Sequence, residues 1–330
     1  MNCFKKTVAL ISGGEGREHD ISLLSAKNLR ELIDRSQYEI LDVFIDKDGA
    51  WYIREGERLT PTFPARLGEA RGFIYGSRVM GVAAAIPCLH GDLGEDGTVQ
   101  GALTLAGIPY VGQDVYASAL TQDKIYTKFC ARALGIPTAD FVFFDGEDGS
   151  EARRVTEEAL GFPVIIKPAR LGSSHGIQIA RTREDFAKAY GKASAASKRL
   201  LVERLISYDH ELECAYLLGQ FVPSGRVLSG GSFYGFDEKY GGKTKTEISS
   251  GLNPKTEKRI TEYSEALVRA IGIRSLSRLD YFVTREGAIY FNEINAFPGM
   301  TDTSLYPRLT EELSLGKGEF INLLIKDALS

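Results

Sequence analysis

The chain has 330 residues, of which 43% are aliphatic or aromatic and 25% charged, the composition of a soluble globular protein too long for one compact core. A formal net charge of −4 excludes the broad basic surface that nucleic acid or an anionic membrane would require. Cys3, Cys88, Cys130 and Cys214 are scattered without a CxxC pair, so neither a zinc site nor a disulfide framework is predicted.

The first apolar run, Thr7 to Ile11, is too brief for a signal sequence or a membrane span and predicts a buried strand, hence a cytoplasmic protein in a reducing compartment. Ser12-Gly13-Gly14-Glu15-Gly16 is a Gly-rich turn, and an amphipathic helix runs from Glu18 to about Asp34. GxGxxG is not matched, so the turn marks only a helix N-terminus able to face an anion. A carboxylate at Glu18 could hold a cationic amine there, or it could simply complement the helix dipole. A strand at Glu39 to Ile45 and a turn at Lys47 to Gly49 follow, then a polar, Gly-rich stretch to Arg78 without an assigned element. The apolar run Gly81 to Leu89 ends in His90-Gly91-Asp92-Leu93-Gly94-Glu95-Asp96-Gly97, a loop at a strand's carboxyl end, where open α/β sheets place ligands. A helix Thr98 to Ala106 and a strand Ile108 to Val111 complete a doubly wound α/β domain near residue 115.

One long helix is predicted from Tyr116 to Leu134, carrying Asp123, Lys124 and Lys128 and stopped by Gly135-Ile136-Pro137. To about residue 208 the pattern alternates: strand Phe141 to Phe144, helix Glu151 to Leu160, strand Val164 to Lys167, strand Ile177 to Ala180, helix Arg183 to Lys192, strand Leu200 to Val202. This α+β unit centres on Lys167 and the loop Gly172-Ser173-Ser174-His175-Gly176. Small residues bracketed by glycine would expose backbone N–H and hydroxyl donors to phosphates, with Lys167 adding a compact charge; the plainer alternative is a flexible turn. Glu203 and Glu211 bracket the passage to strands Glu211 to Leu218 and Phe221 to Phe233. Tyr234 to Thr246, which includes Lys239 and Tyr240, is irregular, charged and Gly-rich, and reads as a lid or a disordered connection. A helix Lys255 to Ile271 and a last helix from about Gly318 flank the most informative stretch.

In that stretch Leu279 to Val283 and Ala288 to Phe291 surround Thr284-Arg285-Glu286-Gly287, which predicts a hairpin with Gly287 at the turn. Arg278 and Asp280 share one strand face; Glu293 and Asn295 share a face on the returning strand. If pairing turns both faces the same way, three oxygen ligands and a guanidinium converge at the hairpin's open end. Such oxygens suit Mg²⁺, which takes one or two carboxylates and completes its shell with water and phosphate. An ordinary half-solvated hairpin is the bland alternative, but Pro298-Gly299 followed by Thr301, Thr303 and Ser304 makes a donor-rich turn rather than a plain strand exit.

These residues resemble the D-alanine:D-alanine ligases of the ATP-grasp superfamily, in eight ordered blocks: Glu18 to Ala26, Leu89 to Gly101, Ile108 to Gly112, Ala117 to Leu120 with Asp123-Lys124, Val164 to Gly176, Glu238 to Tyr240, Arg278 to Asp280, and Asn292 to Pro307. The resemblance implies a three-domain fold of α/β and α+β units: an N-terminal doubly wound domain over 1–115 that binds substrate, a central ATP-grasp lid domain over 116–208, and a C-terminal ATP-grasp domain over 209–330 with the metal and substrate sites. By the same resemblance Lys124, Lys167 and Lys239 contact nucleotide phosphates under the loop of Gly172 and Ser174, Glu203 lines the adenine edge, and Glu211 takes the ribose hydroxyls. Asp280, Glu293 and Asn295 would hold two Mg²⁺ ions, with Mn²⁺ a possible substitute. Glu18 would bind the ammonium of the first D-alanine with His90 beside it, Ser173 and Tyr240 would link the lid loops, and Ser304 and Leu305 would receive the second carboxylate. Arg278 and the Gly299 N–H would stabilise the oxyanion.

The implied product is D-alanyl-D-alanine for peptidoglycan, made from ATP and D-alanine through a D-alanyl phosphate by a cytoplasmic homodimer that binds neither nucleic acid nor membrane. A D-alanine:D-serine ligase is the near alternative. Another ATP-dependent carboxylate:amine ligase and a non-catalytic nucleotide-binding protein are further ones. Departures from the family pattern fall at Arg204, where many members carry Lys, at His175, a position usually apolar, and at Ala296-Phe297.

Overall fold

Apolar runs punctuated by glycine build the sheets of this protein, described over residues 5–222, 224–228 and 245–330 of a computed structural model. Lys6–Gly13 (β1) leads through His19–Leu32 (α1) to Tyr38–Ile45 (β2), then to Trp51–Glu55 (β3), Arg58–Pro61 (β4), Pro64–Leu67 (β5), Ala70–Tyr75 (β6), Arg78–Gly81 (β7), Ala84–Pro87 (β8) and Thr98–Leu105 (α2). The first sheet has the order β4-β3-β2-β1-β8, with β1 parallel to both neighbours. A strand covered on both faces reads as an unbroken apolar run, as Val8 to Ile11 does. The stretch before Arg78 is not a loop: it holds the antiparallel β3–β4 edge and a separate β5-β6-β7 sheet. Those strands are short and carry exposed arginines, which hid their period. At Ile108 to Val111 only the single bridge Ala85↔Tyr110 forms, since Pro109 has no N–H for a ladder.

The expected long helix is two, Val115–Gln122 (α3) and Lys124–Ala133 (α4). The break lies at Asp123, whose φ of −93° and ψ of 105° are not helical and whose carboxylate caps Ile125 N. The same buried carboxylate accepts from Arg170 Nε at 3.0 Å and Arg199 Nε at 2.8 Å. Phe141–Asp145 (β9), Gly149–Ala159 (α5), Val164–Pro168 (β10), Gln178–Ala180 (β11), Arg183–Ala196 (α6) and Arg199–Arg204 (β12) follow. Their antiparallel sheet has the order β11-β10-β12-β9. Its core of Phe144, Ile166, Phe186 and Val202 is its own.

The remaining elements are His210–Leu217 (β13), Gln220–Phe221 (β14), Gly225–Leu228 (β15), Lys245–Glu247 (β16), Pro254–Ile271 (α7), Leu276–Val283 (β17), Ile289–Asn295 (β18), Leu305–Glu311 (α8) and Glu319–Ala328 (α9). They build a sheet of order β16-β15-β13-β17-β18, with β14 paired to β13. Of the predicted strand Phe221 to Phe233, Phe221 lies on β14 and Gly225–Leu228 form β15, while residues 229–233 lie outside the described residues; Thr246, assigned to an irregular loop, lies on β16. Residues 229–244, with Lys239 and Tyr240, lie outside the described residues. Helix α7 is delimited as its sequence dictates: Asn253 accepts from Thr256 N, Pro254 opens the first turn, and Gly272 ends it at a φ of 83°.

One core joins the first and last parts of the chain. Leu10, Leu29 and Ile86 pack in the same cluster as Leu276, Met300, Tyr306, Phe320 and Leu324. Each such side chain, when fully buried, contributes about 1.5–3 kcal/mol, so the first sheet and the last are held as one body.

Candidate active site

The hairpin β17–β18 turns its polar faces the same way. Asp280 lies opposite Glu293 and Arg278 opposite Asn295. The register shifts between Asp280 and Tyr281, because Tyr281 pairs with Phe291 and leaves Asn292 as an extra, unladdered residue. This bulge lets consecutive residues address two lysines of the middle part of the chain. Asn292 Oδ1 accepts from Lys167 Nζ at 3.0 Å, and Glu293 Oε2 lies 3.3 Å from Lys124 Nζ. Arg278 grips Asp280 with both arms, Nε to Oδ1 at 2.8 Å and Nη2 to Oδ2 at 2.7 Å, and its Nε is 3.5 Å from Glu213 Oε2. Burial works against the guanidinium's charge, but Asp280 and Glu213 outweigh it and push its pKa well above the ordinary value. Asn295 Nδ2 also donates to Asp280 Oδ2, at 3.2 Å.

Two cavities meet at this hairpin. The first, of about 730 Å³, has walls of Ala139, Ile165, Ile206 and Phe282 and a polar floor of Lys167, Glu203 and Glu211. Glu203, fully buried, sits between two ammonium groups, with Lys128 Nζ at 2.6 Å from Oε1 and Lys167 Nζ at 2.6 Å from Oε2. Tyr208 donates to Glu211 Oε2 at 3.2 Å and stacks on Phe282, with centroids 4.3 Å apart. The apolar walls with a cationic end suit a flat ring carrying an anionic tail.

The second cavity, of about 1290 Å³, shares Ser174, Ile177 and Glu293 with the first. Its walls include Glu18, His90, Arg278, Gly299, Ser304 and Leu305. Glu18 and His90 belong there because β1 and β8 are parallel neighbours whose carboxyl ends release both loops on one side, at the sheet's switch point. Gly13, at a φ of 97°, makes the turn out of β1, where a Cβ would collide with the Ile45 carbonyl. Its N–H donates to Ser22 Oγ at 2.9 Å, and that hydroxyl donates to Cys88 O at 2.5 Å, fastening α1 across the crevice. Burial lowers the pKa of His90 against the pull of Glu18, and its Nε2 is 3.0 Å from Ser25 Oγ.

From the middle part of the chain, Ser173 Oγ donates to Glu18 Oε1. Ser173 and Ser174 hold φ of 49° and 58°, a left-handed backbone that costs an L-residue about 1–2 kcal/mol. Strain of this sort collects where a loop must clamp a ligand. Lys124 Nζ donates to Leu171 O at 2.8 Å, so the loop's near end is anchored beside Glu293. The turn after β18 is fixed from several sides. Glu95 Oε1 accepts from Phe297 N at 3.2 Å, Asn28 donates to Met300 O at 2.7 Å, and Ser304 Oγ accepts from Thr301 N at 3.1 Å.

Of the residues predicted from sequence, Glu18, His90, Lys124, Lys167, Gly172, Ser173, Ser174, Glu203, Glu211, Arg278, Glu293, Asn295, Gly299, Ser304 and Leu305 all line one cavity or both. Asp280 stands behind Arg278 rather than in the wall. Sequence reasoning missed Glu95 and Asn292 and gave Lys128 no role. Lys128 had left a signal: it lies three residues from Ile125 and three from Ala131, a charge in the middle of a buried stripe.

Comparison with known proteins fits this geometry. Residues 7–113 match the family model "D-ala D-ala ligase N-terminus", and residues 130–326 match "D-ala D-ala ligase C-terminus". This chain belongs to the D-Ala-D-Ala ligase family. Among members of the family, the D-alanine–D-alanine ligase of Thermoanaerobacter sp. (strain X514) is 36% identical, over 98% of this chain and 97% of its own. That of Corynebacterium glutamicum is 37% identical, over 99% and 98%. Among solved structures, the VanG D-Ala:D-Ser ligase of Enterococcus faecalis superposes with a TM-score of 0.89 at 31% identity, over 98% of this chain and 99% of that one. The D-alanine–D-alanine ligase of Coxiella burnetii gives 0.87 at 29% identity, over 99% and 94%. The fold is therefore the ATP-grasp fold of the D-Ala-D-Ala ligases, a family that is ATP-dependent and generally uses Mg²⁺.

The donor set suits that ion. Among the described residues no group of three or more His, Cys, Asp or Glu side chains forms a closed metal cage. Asp280, Glu293 and Asn295 lie on the facing strands of one hairpin, and their oxygens are of the type that Mg²⁺ takes beside phosphate and water.

Proposed function

We propose that this protein is an ATP-dependent ligase that joins two D-alanines through D-alanyl phosphate to give D-alanyl-D-alanine for peptidoglycan precursors, in the cytoplasm and as a homodimer. The observation that carries the reading is that an apolar cavity with a cationic end and a polar cavity walled by Glu18, Arg278 and Ser304 share Glu293 at their junction. ATP and the amino acids would thus meet at one point.

Glu18 holds the ammonium of the first D-alanine, and Ser173, donating to Glu18, brings the loop of Gly172 and Ser174 down over it. The carboxylate of that D-alanine attacks the γ-phosphate, the β,γ P–O bond breaks and ADP leaves; Lys124 and Lys167, both bordering the junction, offset the repulsion between two anions. Lys239 and Tyr240, outside the described residues, are assigned to the lid that keeps water from the acyl phosphate. Glu211 takes the ribose hydroxyls and Glu203 faces the adenine edge. Asp280, Glu293 and Asn295 would hold Mg²⁺, which supplies charge neutralisation at the phosphates when bound. Ser304 and Leu305 receive the carboxylate of the second D-alanine, whose amine attacks the acyl carbonyl, and Arg278 with the Gly299 N–H holds the oxyanion until phosphate leaves. The domain division at residues 115 and 208 belongs to the same reading.

D-serine is the second reading for the second subsite, because the structure superposes well on a D-Ala:D-Ser ligase. A small pocket rejects one added hydroxyl by only about 10²-fold. ADP release with D-alanine, D-serine and D-lactate as second substrate, with the product identified by mass, tests both. Absence of D-alanine-dependent ADP release overturns the ligase assignment.

A further inference from the structure

Lys128 is fully buried on the inner face of α4, and the chemistry above makes no use of it. Its ammonium donates to Thr138 Oγ1 at 2.7 Å and to Phe291 O at 3.4 Å, and pairs with Glu203 Oε1 at 2.6 Å. Thr138 Oγ1 in turn donates to Phe291 O at 3.1 Å, so the tether closes on β18. Lys167 contacts the other oxygen of Glu203, at 2.6 Å, but its remaining partner is the amide of Asn292, and its Nζ borders the cavity.

One carboxylate thus serves two ammonium groups that both border the cavity, Lys128 1% exposed, carried on α4 and tied to β18, and Lys167 9% exposed and tied to Asn292. If Lys167 turns toward a nucleotide phosphate, Glu203 loses a cation while remaining buried, and a buried carboxylate without a counter-charge is strongly disfavoured. Lys128 removes that obstacle, since it stays. Resting on the nucleotide reading of this cavity, we propose that Lys128 is a positioning residue: the permanent counter-ion of Glu203, which frees Lys167 to leave Glu203 for the phosphates of ATP. Burial pushes Lys128 down while Glu203 draws it back, and burial would raise Glu203 but both lysines hold it below the usual carboxylate range. A lysine that merely struts α4 against β18 would affect folding and nothing specific to ATP.

The test is a cycle of Lys128→Met, Glu203→Gln and the double variant, with KM for ATP and for D-alanine measured separately and ADP affinity measured by calorimetry. Without Lys128, Glu203 keeps Lys167 for itself; KM for ATP should rise by about tenfold or more while KM for D-alanine changes by less than about twofold. In the double variant no carboxylate remains to hold Lys167, so KM for ATP should return to within about threefold of that of Glu203→Gln alone. An unchanged KM for ATP, an equal rise in both KM values, or a double variant equal to the product of the singles overturns the proposal. Should Lys128→Met fail to fold, the comparison of Glu203→Gln with the double variant decides: similar values support the role, and a further loss of about tenfold sinks it. Wild-type protein without D-alanine-dependent turnover would refute the ligase reading instead, and the ADP affinities of the same variants would still test Lys128.

Discussion

Replacing Arg278 with alanine has two consequences of different origin. The guanidinium is 16% exposed and makes two hydrogen bonds to Asp280, with Glu213 3.5 Å away. Its removal leaves two carboxylates, 8% and 14% exposed, without the cation between them. Breaking such a buried pairing costs about 3–5 kcal/mol, so the variant alone should melt several degrees below wild type. The second loss is kinetic: one oxyanion donor is worth about 10²- to 10³-fold in turnover, or about 2.7–4 kcal/mol. Mg²⁺ with ADP offers Asp280 a new partner and should recover much of the stability but none of the turnover. Melting with and without Mg-ADP, beside ADP release at saturating D-alanine, separates the two. Folded Arg278→Ala turning over within about tenfold of wild type would refute the oxyanion role, and an undiminished melting temperature would refute the pairing argument.

A methyl group on Gly172 would stand 3.0 Å from Glu18 Oε2, so Gly172→Ala should raise KM for the first D-alanine by roughly tenfold with little change for ATP; steady-state kinetics with each substrate varied would expose the opposite pattern. Arg17 Nη1 meets His175 Nδ1 at 3.2 Å, and burial followed by Arg17 lowers the imidazole's pKa. The contact is therefore whole above pH 6.5 and lost as pH falls through the lowered value, so melting of wild type should decline below pH 6.5 more steeply than that of His175→Leu. Parallel curves for the two proteins would dismiss the contact. Glu95 behaves in the opposite sense: burial first, then Glu18, pushes its pKa from 4.5 to about 8, so its contribution is complete below pH 4.5 and disappears as pH rises through 8. Melting scans between pH 4.5 and 8 should fall more for wild type than for Glu95→Gln; identical slopes would contradict the assignment.

Much of this was legible in the sequence because period and punctuation agreed. The apolar run at Thr7 to Ile11 could only be a strand, and Thr284 to Gly287 between two β-branched and aromatic segments could only be a turn. That Arg278 and Asp280 share one face, and Glu293 and Asn295 another, followed from alternation; that the two faces meet, with Asp280 opposite Glu293, came only from the pairing of the strands. What escaped was whatever tertiary contact decides. The helix break at Asp123 depends on Arg170 and Arg199, neither of them adjacent in sequence. The bulge at Asn292 breaks alternation at one residue, and no local composition announces it. Glu95 looked like one more acid in a Gly-rich loop until Phe297 donated to it across 202 positions of chain.

The shared packing of Leu10 and Ile86 with Met300, Tyr306 and Phe320 sets a limit on how this enzyme can be dissected. The opening hundred residues cannot be excised as a module, because the sheet that carries Arg278 and Glu293 would be left with a raw apolar flank. The segment around Phe144, Ile166 and Phe186 fills an interior of its own and meets the rest through links such as Lys167 with Asn292, so its packing would survive such a cut.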